Sequence, residues 1–234
     1  EYVAFLDSDD YVENTMYEEM YNIGKKEDAD MVECDFVWEY PNKKREDIGE
    51  IYASKKEMIE KGHVVAWNKL IKREILEKAN LKFPMGLRYE DMEFFYKLVL
   101  YVNKVSFVKK CFVHYVQREN SIANTQNSRT KEIFIILDNV IKYYKEKGVY
   151  DEYKEELEYI YVRFLLCSSL KRMCKISEKN ERKQAQKETW NNINTKFPNW
   201  RKNLILKKKN LKNLYIKSNN NITFKIYCFF LHLL

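Results

Sequence analysis

The first part of the chain alternates between strand and helix patterns, and this alternation constrains the fold more than any other feature. Residues 2–6 (YVAFL) form an apolar run typical of a buried strand. Met16, Met20 and Ile23 follow at helical spacing, and residues 29–40 (ADMVECDFVWEY) alternate as a second strand would. Strand, helix and strand in close succession predict an α/β fold.

The pattern changes near residues 125–130, where α/β alternation gives way to helices. Helix patterns then cover 130–147, 151–175 and two further segments. Before that point, the charged stretch from Pro41 to Glu50 predicts a loop. We therefore predict an α/β domain over residues 1–127 and an all-α, basic helical region over residues 128–234.

Charge is distributed unevenly along the chain. The 234 residues carry 42 Lys and Arg and 35 Asp and Glu, for a formal charge of +7. Residues 1–170 hold 26 basic and 32 acidic side chains, whereas residues 171–234 hold 16 basic and three acidic ones. The basic C-terminal part therefore predicts an anionic partner. Nucleic acid is not expected, because the larger part of the chain is acidic and no known reader motif appears.

Cysteine and histidine usage excludes several classes of site. The number of cysteines is odd and no CxxC pair is present, so neither a disulfide framework nor a structural zinc site is expected. A reducing compartment is the default, and we expect a cytoplasmic protein. The three histidines have no metal-ligand spacing, and His114 is expected to be structural. The chain lacks an apolar run of about 18 residues, so no membrane span is predicted.

The opening strand ends in a group of carboxylates, Phe5-Leu6-Asp7-Ser8-Asp9-Asp10. Three carboxylates within four positions disfavour joint ionisation unless a cation neutralises them. Carboxylate oxygens suit Mg²⁺ or Mn²⁺, and the carboxyl end of a strand in an open α/β sheet is a usual ligand position. The alternative is a solvated turn in which an aspartate caps the next helix.

Four blocks of the sequence resemble glycosyltransferase family 2, the inverting nucleotide-sugar transferases with a GT-A fold. EYVAFLDSDD (residues 1–10) is similar to the strand and DxD motif of that family, and WNKLIKR (67–73) is similar to its "WNKLYKR" segment. FPMG (83–86) followed by YEDMEF (89–94) resembles its "ED" block, and YVQRENSI (115–122) resembles its "YRxRxxSI" block. The blocks occur in the family's order over roughly half of the chain.

The resemblance implies a partial GT-A, Rossmann-like mixed sheet and a metal-dependent, inverting transfer from a nucleotide-sugar, above all a UDP-sugar, to a glycan or lipid-linked acceptor. It implies that Asp9 binds Mg²⁺ or Mn²⁺, that Asp7 contacts the donor and that Asp10 supports the site. Asp91 is the implied general base, with Glu90 beside it. Without the resemblance, Asp91 would be an ordinary acid at a helix start. The interpretation requires the Asp7–Asp10 corner and Asp91 to share one site.

The remaining implied contacts come from the second and fourth blocks. A guanidinium at Arg118 can pair with diphosphate oxygens in a forked geometry, and Ser121 can add a hydroxyl donor. Trp67 is expected to form a platform against a sugar face, with Asn68 and Lys69 as donors. The alternatives are a surface ion pair for Arg118 and a core position for Trp67.

The family's first half, which opens with a strand such as "VSVIIPVYN" and contains a "DDGSTD"-like segment, has no counterpart in these residues. We therefore expect the chain to be the C-terminal portion of a glycosyltransferase, with little or no turnover alone. The alternative from another class is a non-catalytic binding or oligomerisation module derived from such an enzyme.

The C-terminal part combines basic and apolar residues. RKNLILKKKNLKNLYIK (residues 201–217) suits an amphipathic helix on an anionic membrane surface, which would place the protein peripherally on the inner face of the membrane. The alternative is a solvated, lysine-rich face. The apolar end FKIYCFFLHLL (224–234) is expected to be a docking helix, an interfacial segment or a cut-off end.

Overall fold

The computed structural model describes residues 1–118 and 125–233. The chain forms two compact units, which consist of Glu1–Gly86 with Glu90–Asn124 (unit 1) and of Leu87–Tyr89 with Thr125–Leu234 (unit 2). Unit 1 combines a sheet with helices, and the described part of unit 2 is helical. The predicted α/β fold class with a mixed sheet is confirmed.

Unit 1 is built on a six-stranded mixed sheet. Its strands are β1 (Tyr2–Ala4), β2 (Tyr11–Val12), β3 (Met31–Tyr40), β4 (Lys43–Asp47), β5 (Lys69–Lys72) and β6 (Val105–Val116). The order along the sheet is β1-β5-β3-β6-β2, and β4 pairs with β3. Strands β3 and β6 run parallel, and the other pairs are antiparallel. The carboxylates of residues 7–10 lie in the segment that connects β1 to β2, the strands at the two ends of this order.

The core of unit 1 lies between the sheet and helix α1 (Met16–Glu27). Met16 and Met20, one helical turn apart, are both fully buried against Val32 and Cys34 of β3 and against β6. Burying a methionine side chain contributes about 1.5–3 kcal/mol, so this face anchors the helix to the sheet. Helix α1 ends at Asp28, whose left-handed φ of 50° stops the helix.

The described part of unit 1 contains three further helices: α2 (Lys55–Lys61), α3 (Arg73–Ala79) and α4 (Glu90–Leu98). Ser54 caps α2 by accepting a hydrogen bond from the backbone N–H of Glu57 at 3.2 Å. Helix α4 buries Phe94, Phe95 and Tyr96, which follow its first turn.

The prediction of a loop from Pro41 to Glu50 is wrong for the central part of this segment. Strand β4 forms there and pairs with β3, with Asp47 opposite Phe36 and Lys43 opposite Tyr40. Its side chains are mostly exposed, so the strand carries no apolar alternation that a sequence pattern could reveal.

Unit 2 contains six longer helices: α5 (Glu132–Glu146), α6 (Tyr150–Leu166), α7 (Ser168–Cys174), α8 (Lys179–Lys196), α9 (Leu211–Ser218) and α10 (Thr223–Leu233). Large side chains of several helices fill its core, including Tyr144, Leu157, Tyr161, Leu170 and Trp200. In the described residues, no helix combines the length and the apolar character needed to cross a membrane.

Two helical expectations for unit 2 are wrong in detail. The helix expected over 151–175 is interrupted at Cys167, whose φ of −102° and ψ of −98° are not helical. The amphipathic helix expected over 201–217 is also broken. Short 3₁₀ turns precede α9, and the apolar side chains of Ile205, Leu206 and Ile216 point into the core.

Candidate active site

The three carboxylates that follow β1 lie in a tight turn. The backbone N–H of Asp10 donates to the carbonyl of Asp7 at 3.2 Å, and β2 begins at the next residue. Asp10 Oδ1 accepts a hydrogen bond from the Val116 N–H of β6 at 2.9 Å. Arg118 Nη2 donates to the carbonyl oxygen of Asp9 at 3.2 Å. The family resemblance singles out Asp9, Asp10 and Arg118, and the fold brings these three residues together.

Burial and the neighbouring negative charges raise the pKa of two carboxyls in this turn, Asp7 and Asp10. Burial, with the charges of Asp9 and Asp7, raises the pKa of Asp10 to about 6, although the Val116 N–H and Arg118 oppose the shift. Burial, followed by the charges of Asp9 and Glu90, likewise raises the pKa of Asp7. Among the described residues, the buried Oδ2 of Asp10 has no hydrogen-bond partner. An acceptor in this position suits a cation or a donor group of a ligand.

Aromatic packing connects the residues just before the carboxylate turn to helix α4. Phe5, two residues before Asp7, contacts Phe83 and Phe94 edge to face, with ring centroids 5.2 and 5.7 Å apart. Phe94 lies on α4, one turn after Asp91. This packing explains why the start of α4 lies beside the turn.

Asp91 is partly buried in the first turn of α4. Its Oδ2 accepts a hydrogen bond from the Ala66 N–H at 3.1 Å. Burial, with the charges of Glu90 and Asp7, raises the pKa of Asp91 to about 6, against the opposing effects of the Ala66 N–H and Lys69. The charge of Asp7 contributes to the raised pKa of Asp91, so the turn and Asp91 lie within electrostatic range of each other. We use "acidic site" for Asp7, Asp9, Asp10, Glu90 and Asp91.

The backbone just before α4 is strained. Tyr89 has a φ of 67°, in the left-handed region that non-glycine residues seldom adopt. Such conformations cost about 1–3 kcal/mol and cluster at functional sites. The strained residue, Tyr89, directly precedes Glu90. Glu90 is the first residue of α4, and its side chain is exposed.

Lys69 lies inside unit 1 instead of facing a ligand. Its side chain is 1% exposed and pairs with Glu33 Oε1 at 3.3 Å, where the Glu33 side chain is 0% exposed. Its Nζ also donates to the carbonyls of His63 and Val65, both at 2.7 Å, and to Asn68 Oδ1 at 2.8 Å. Burial lowers the pKa of Lys69, against the opposing charge of Glu33. Lys69 therefore holds the backbone segment next to Ala66, whose N–H contacts Asp91.

Asn68 and Trp67 are buried as well. Asn68 Nδ2 donates to the Cys34 carbonyl at 2.8 Å, so both ends of its amide are occupied within the protein. Trp67 is 3% exposed and packs edge to face on Phe36, with 4.7 Å between ring centroids. The expected direct contacts of Trp67, Asn68 and Lys69 with donor or acceptor are corrected accordingly. These residues support the loop behind the acidic site.

Sequence reasoning missed two ionic groups near this site, and the first of them is fully buried. Glu33, the partner of Lys69, lies in β3, and its Oε2 accepts a hydrogen bond from Tyr52 at 2.8 Å. In the sequence, the signal for this group is the charged residue Glu33 within the apolar strand pattern of residues 29–40.

Ser121, which is expected to contact the donor, lies outside the described residues.

The second missed group surrounds His114. Its two ring nitrogens hydrogen-bond Glu39 and Glu13, each at 2.9 Å, and its ring stacks on Tyr11 at 4.3 Å. Both nitrogens can donate only when the imidazole is protonated. Since Tyr11 belongs to β2, this group fixes the strand that follows the carboxylate turn, as a structural histidine would.

The donor set of the acidic site fits a divalent cation shared with a substrate. In the described residues, no group of three or more His, Cys, Asp or Glu side chains could hold a metal by itself. Mg²⁺ is commonly bound through one or two carboxylates together with substrate phosphates and water. Asp9 and the unpartnered oxygen of Asp10 provide oxygen donors of that kind.

Comparisons with known proteins identify glycosyltransferases among the sequence relatives of the chain. The chain is 29% identical over 200 residues to the cholesterol galactosyltransferase of Borreliella burgdorferi, which covers 76% of the chain and 54% of that protein. It is 28% identical over 172 residues to EpsH of Bacillus subtilis strain 168, named as a glycosyltransferase, which covers 68% of the chain and 50% of the relative. The chain thus spans about half the length of these relatives.

The fold is shared with a solved structure. The crystal structure of residues 1–349 of S. aureus TarS in complex with UDP-GlcNAc superposes with a TM-score of 0.62 at 15% identity, and the match covers all of this chain and 67% of that 1–349 chain. No model of a known protein family matches the chain. The sequence relatives therefore support a glycosyltransferase, and the solved structure supports its fold.

Proposed function

We propose that the chain carries the metal-binding and acceptor-activating part of an inverting glycosyltransferase of family 2. The enzyme transfers a sugar from a nucleoside diphosphate sugar to a hydroxyl of a glycan or lipid-linked acceptor. The observation that carries this proposal is the acidic site, in which Asp7 interacts electrostatically with Glu90 and Asp91, residues that are far from it in the sequence.

The donor class follows from the relatives' names and from the site. TarS is named in complexes with UDP-GlcNAc and with UDP, and one sequence relative is named as a galactosyltransferase. A UDP-sugar carries a diphosphate that needs neutralisation as it departs. Arg118, at the carbonyl of Asp9, can pair with these oxygens in a forked geometry.

Asp9 and Asp10 would hold Mg²⁺ or Mn²⁺ together with the diphosphate. When bound, the cation stabilises the negative charge that develops on the leaving group. Asp7 would face the donor from the same turn. Lys69 and Asn68 act as positioning residues, since they fix the loop that contacts Asp91.

Asp91 would take the proton from the acceptor hydroxyl as that oxygen attacks the anomeric carbon. A general base works best when its pKa lies near the operating pH. With a pKa of about 6, Asp91 is ionised at neutral pH and is more basic than an ordinary aspartate. Inversion requires this base on the face of the sugar opposite the diphosphate.

The test is UDP release from a panel of UDP-sugars by the protein expressed from its native reading frame, with Mg²⁺ or Mn²⁺. Asp91→Asn should lower kcat by about 100-fold or more while metal-dependent UDP binding persists. Asp28→Asn is the matched control, because Asp28 is an exposed surface aspartate and should leave turnover unchanged. Near-normal turnover by Asp91→Asn would refute the base assignment.

The pH profile gives an independent check. For the wild type, kcat/KM should fall as the pH drops through about 6, because Asp91 is then protonated. If no UDP-sugar is turned over but UDP and Mn²⁺ still bind, the alternative of a non-catalytic module is favoured.

The proposal also places the enzyme in the cytoplasm, since all five cysteines are free thiols. It includes peripheral contact between the basic C-terminal region and an anionic membrane.

A further inference from the structure

Helix α10 of unit 2 (Thr223–Leu233) is apolar on both sides, although the described residues cover only one of them. Phe224 and Cys228 are buried and face the unit interior, where α10 contacts α7. The opposite side of α10 exposes Ile226, Phe229, Phe230 and Leu233, and Ile222, directly before the helix, is also exposed. We call these five residues the apolar stripe.

The apolar stripe has regular helical spacing. Relative to Ile222, its members follow at four, seven, eight and eleven residues, which places them along one side of a helix. Phe229 and Phe230 are 61% and 56% exposed. Contiguous exposed apolar surface of this kind marks an interaction site.

The charge of the surrounding segment selects the partner. Residues 201–233 contain eight Lys and Arg and no Asp or Glu. Lys209, Lys212, Lys217 and Lys225 are exposed on or next to α9 and α10. The partner must therefore offer an apolar layer beneath an anionic surface. A symmetric dimer through the stripe would instead bring two strongly basic segments together.

We infer that the apolar stripe of α10 inserts into the interface of an anionic lipid bilayer. The helix lies in the membrane plane with its phenylalanines at the boundary between headgroups and acyl chains. The lysines pair with lipid phosphates and extend from the apolar layer towards the headgroups. The element that enters the membrane is therefore α10. The segment 201–217 supplies charge, because Ile205, Leu206 and Ile216 are buried in the unit.

This inference is independent of sugar transfer, because vesicle binding is measured without a sugar donor. The full chain is mixed with phosphatidylcholine vesicles that contain either no phosphatidylglycerol or 30 mol% of it (roughly a bacterial anionic content), and bound protein is separated by flotation. Binding is expected only to the anionic vesicles and should weaken as salt is raised.

Two sets of variants test the apolar and the basic contributions separately. Phe229→Gln with Phe230→Gln should reduce binding to anionic vesicles at least tenfold, and Ile135→Gln, an exposed apolar residue on α5, should not. Lys209→Gln, Lys212→Gln and Lys217→Gln together should weaken binding to anionic vesicles and make the remaining binding less sensitive to salt. All of these side chains are exposed, so the core of unit 2 is left intact.

Three outcomes would overturn the inference. Full vesicle binding by the Phe229→Gln, Phe230→Gln variant would show adsorption by charge alone. Equal binding to neutral vesicles would remove the role of the lysines. Concentration-dependent dimerisation that disappears in that variant, without vesicle binding by the wild type, would assign the apolar stripe to a second copy of the chain.

Discussion

Replacing Asp91 by asparagine should make unit 1 more stable at neutral pH while it removes the proposed base. Burial raises the pKa of Asp91 to about 6 from the ordinary aspartate value of 3.8. Each pKa unit corresponds to about 1.4 kcal/mol, so the ionised side chain costs about 3 kcal/mol of folding free energy at pH 7.5. Asparagine avoids this cost and retains an oxygen that can accept the hydrogen bond from the Ala66 N–H.

The sign of the pH dependence follows from the raised pKa. Between about pH 4 and 6 the folded state binds more protons at Asp91 than the unfolded state, so the wild type loses stability as the pH rises through this range. The advantage of Asp91→Asn should therefore be about 3 kcal/mol at pH 7.5, and about half of that at pH 5. A stabilised but inactive variant is the usual signature of a residue kept for function.

The assay is urea unfolding followed by hydrogen exchange on peptides of β3 and β6, which reports on unit 1 alone. Asp28→Asn is the matched control and should bring no gain, because its hydrogen bond to Lys72 lowers the pKa of Asp28. Equal stability of wild type and Asp91→Asn at pH 7.5, or a gain that does not change with pH, would refute the reasoning.

Three further predictions concern the groups around the site. Lys69→Met should destabilise the chain by about 3–5 kcal/mol in urea unfolding, because Glu33 is left as an uncompensated buried charge. Asp9→Asn should weaken Mn²⁺ binding in the presence of UDP about tenfold or more by calorimetry, and unchanged affinity would exclude Asp9 as a ligand. His114→Gln should speed amide exchange in β2 at least tenfold, since two carboxylates lose their shared donor, whereas His63→Gln should leave β2 unchanged.

Local sequence patterns were sufficient for several elements. The spacing of Met16 and Met20 predicts α1, and the alternation over 29–40 predicts β3, because helical and strand periodicities are properties of neighbouring residues. Local patterns do not predict strand β4, because its side chains face solvent and it forms only by pairing with β3.

The candidate site was only partly accessible from the sequence. Residue types and a family resemblance singled out Asp9, Asp91 and Arg118. They also assigned Lys69 to a ligand, although the folded chain buries it against Glu33. Sequence spacing carries no information about which segments cover a side chain, and burial is what turns an ordinary amine or carboxylate into a structural or reactive group.

The sequence by itself determined the α/β-to-helical order of the chain, the cluster of carboxylates after β1 and the basic C-terminal end. Tertiary structure decided that this cluster lies beside Asp91, through the packing of Phe5 on Phe94, and that burial raises the pKa of Asp10 and Asp91 to about 6. It also decided which apolar residues of the C-terminal end are covered and which form the apolar stripe. The physical reason is that composition and periodicity are local, whereas desolvation depends on contacts between segments that are far apart in the chain.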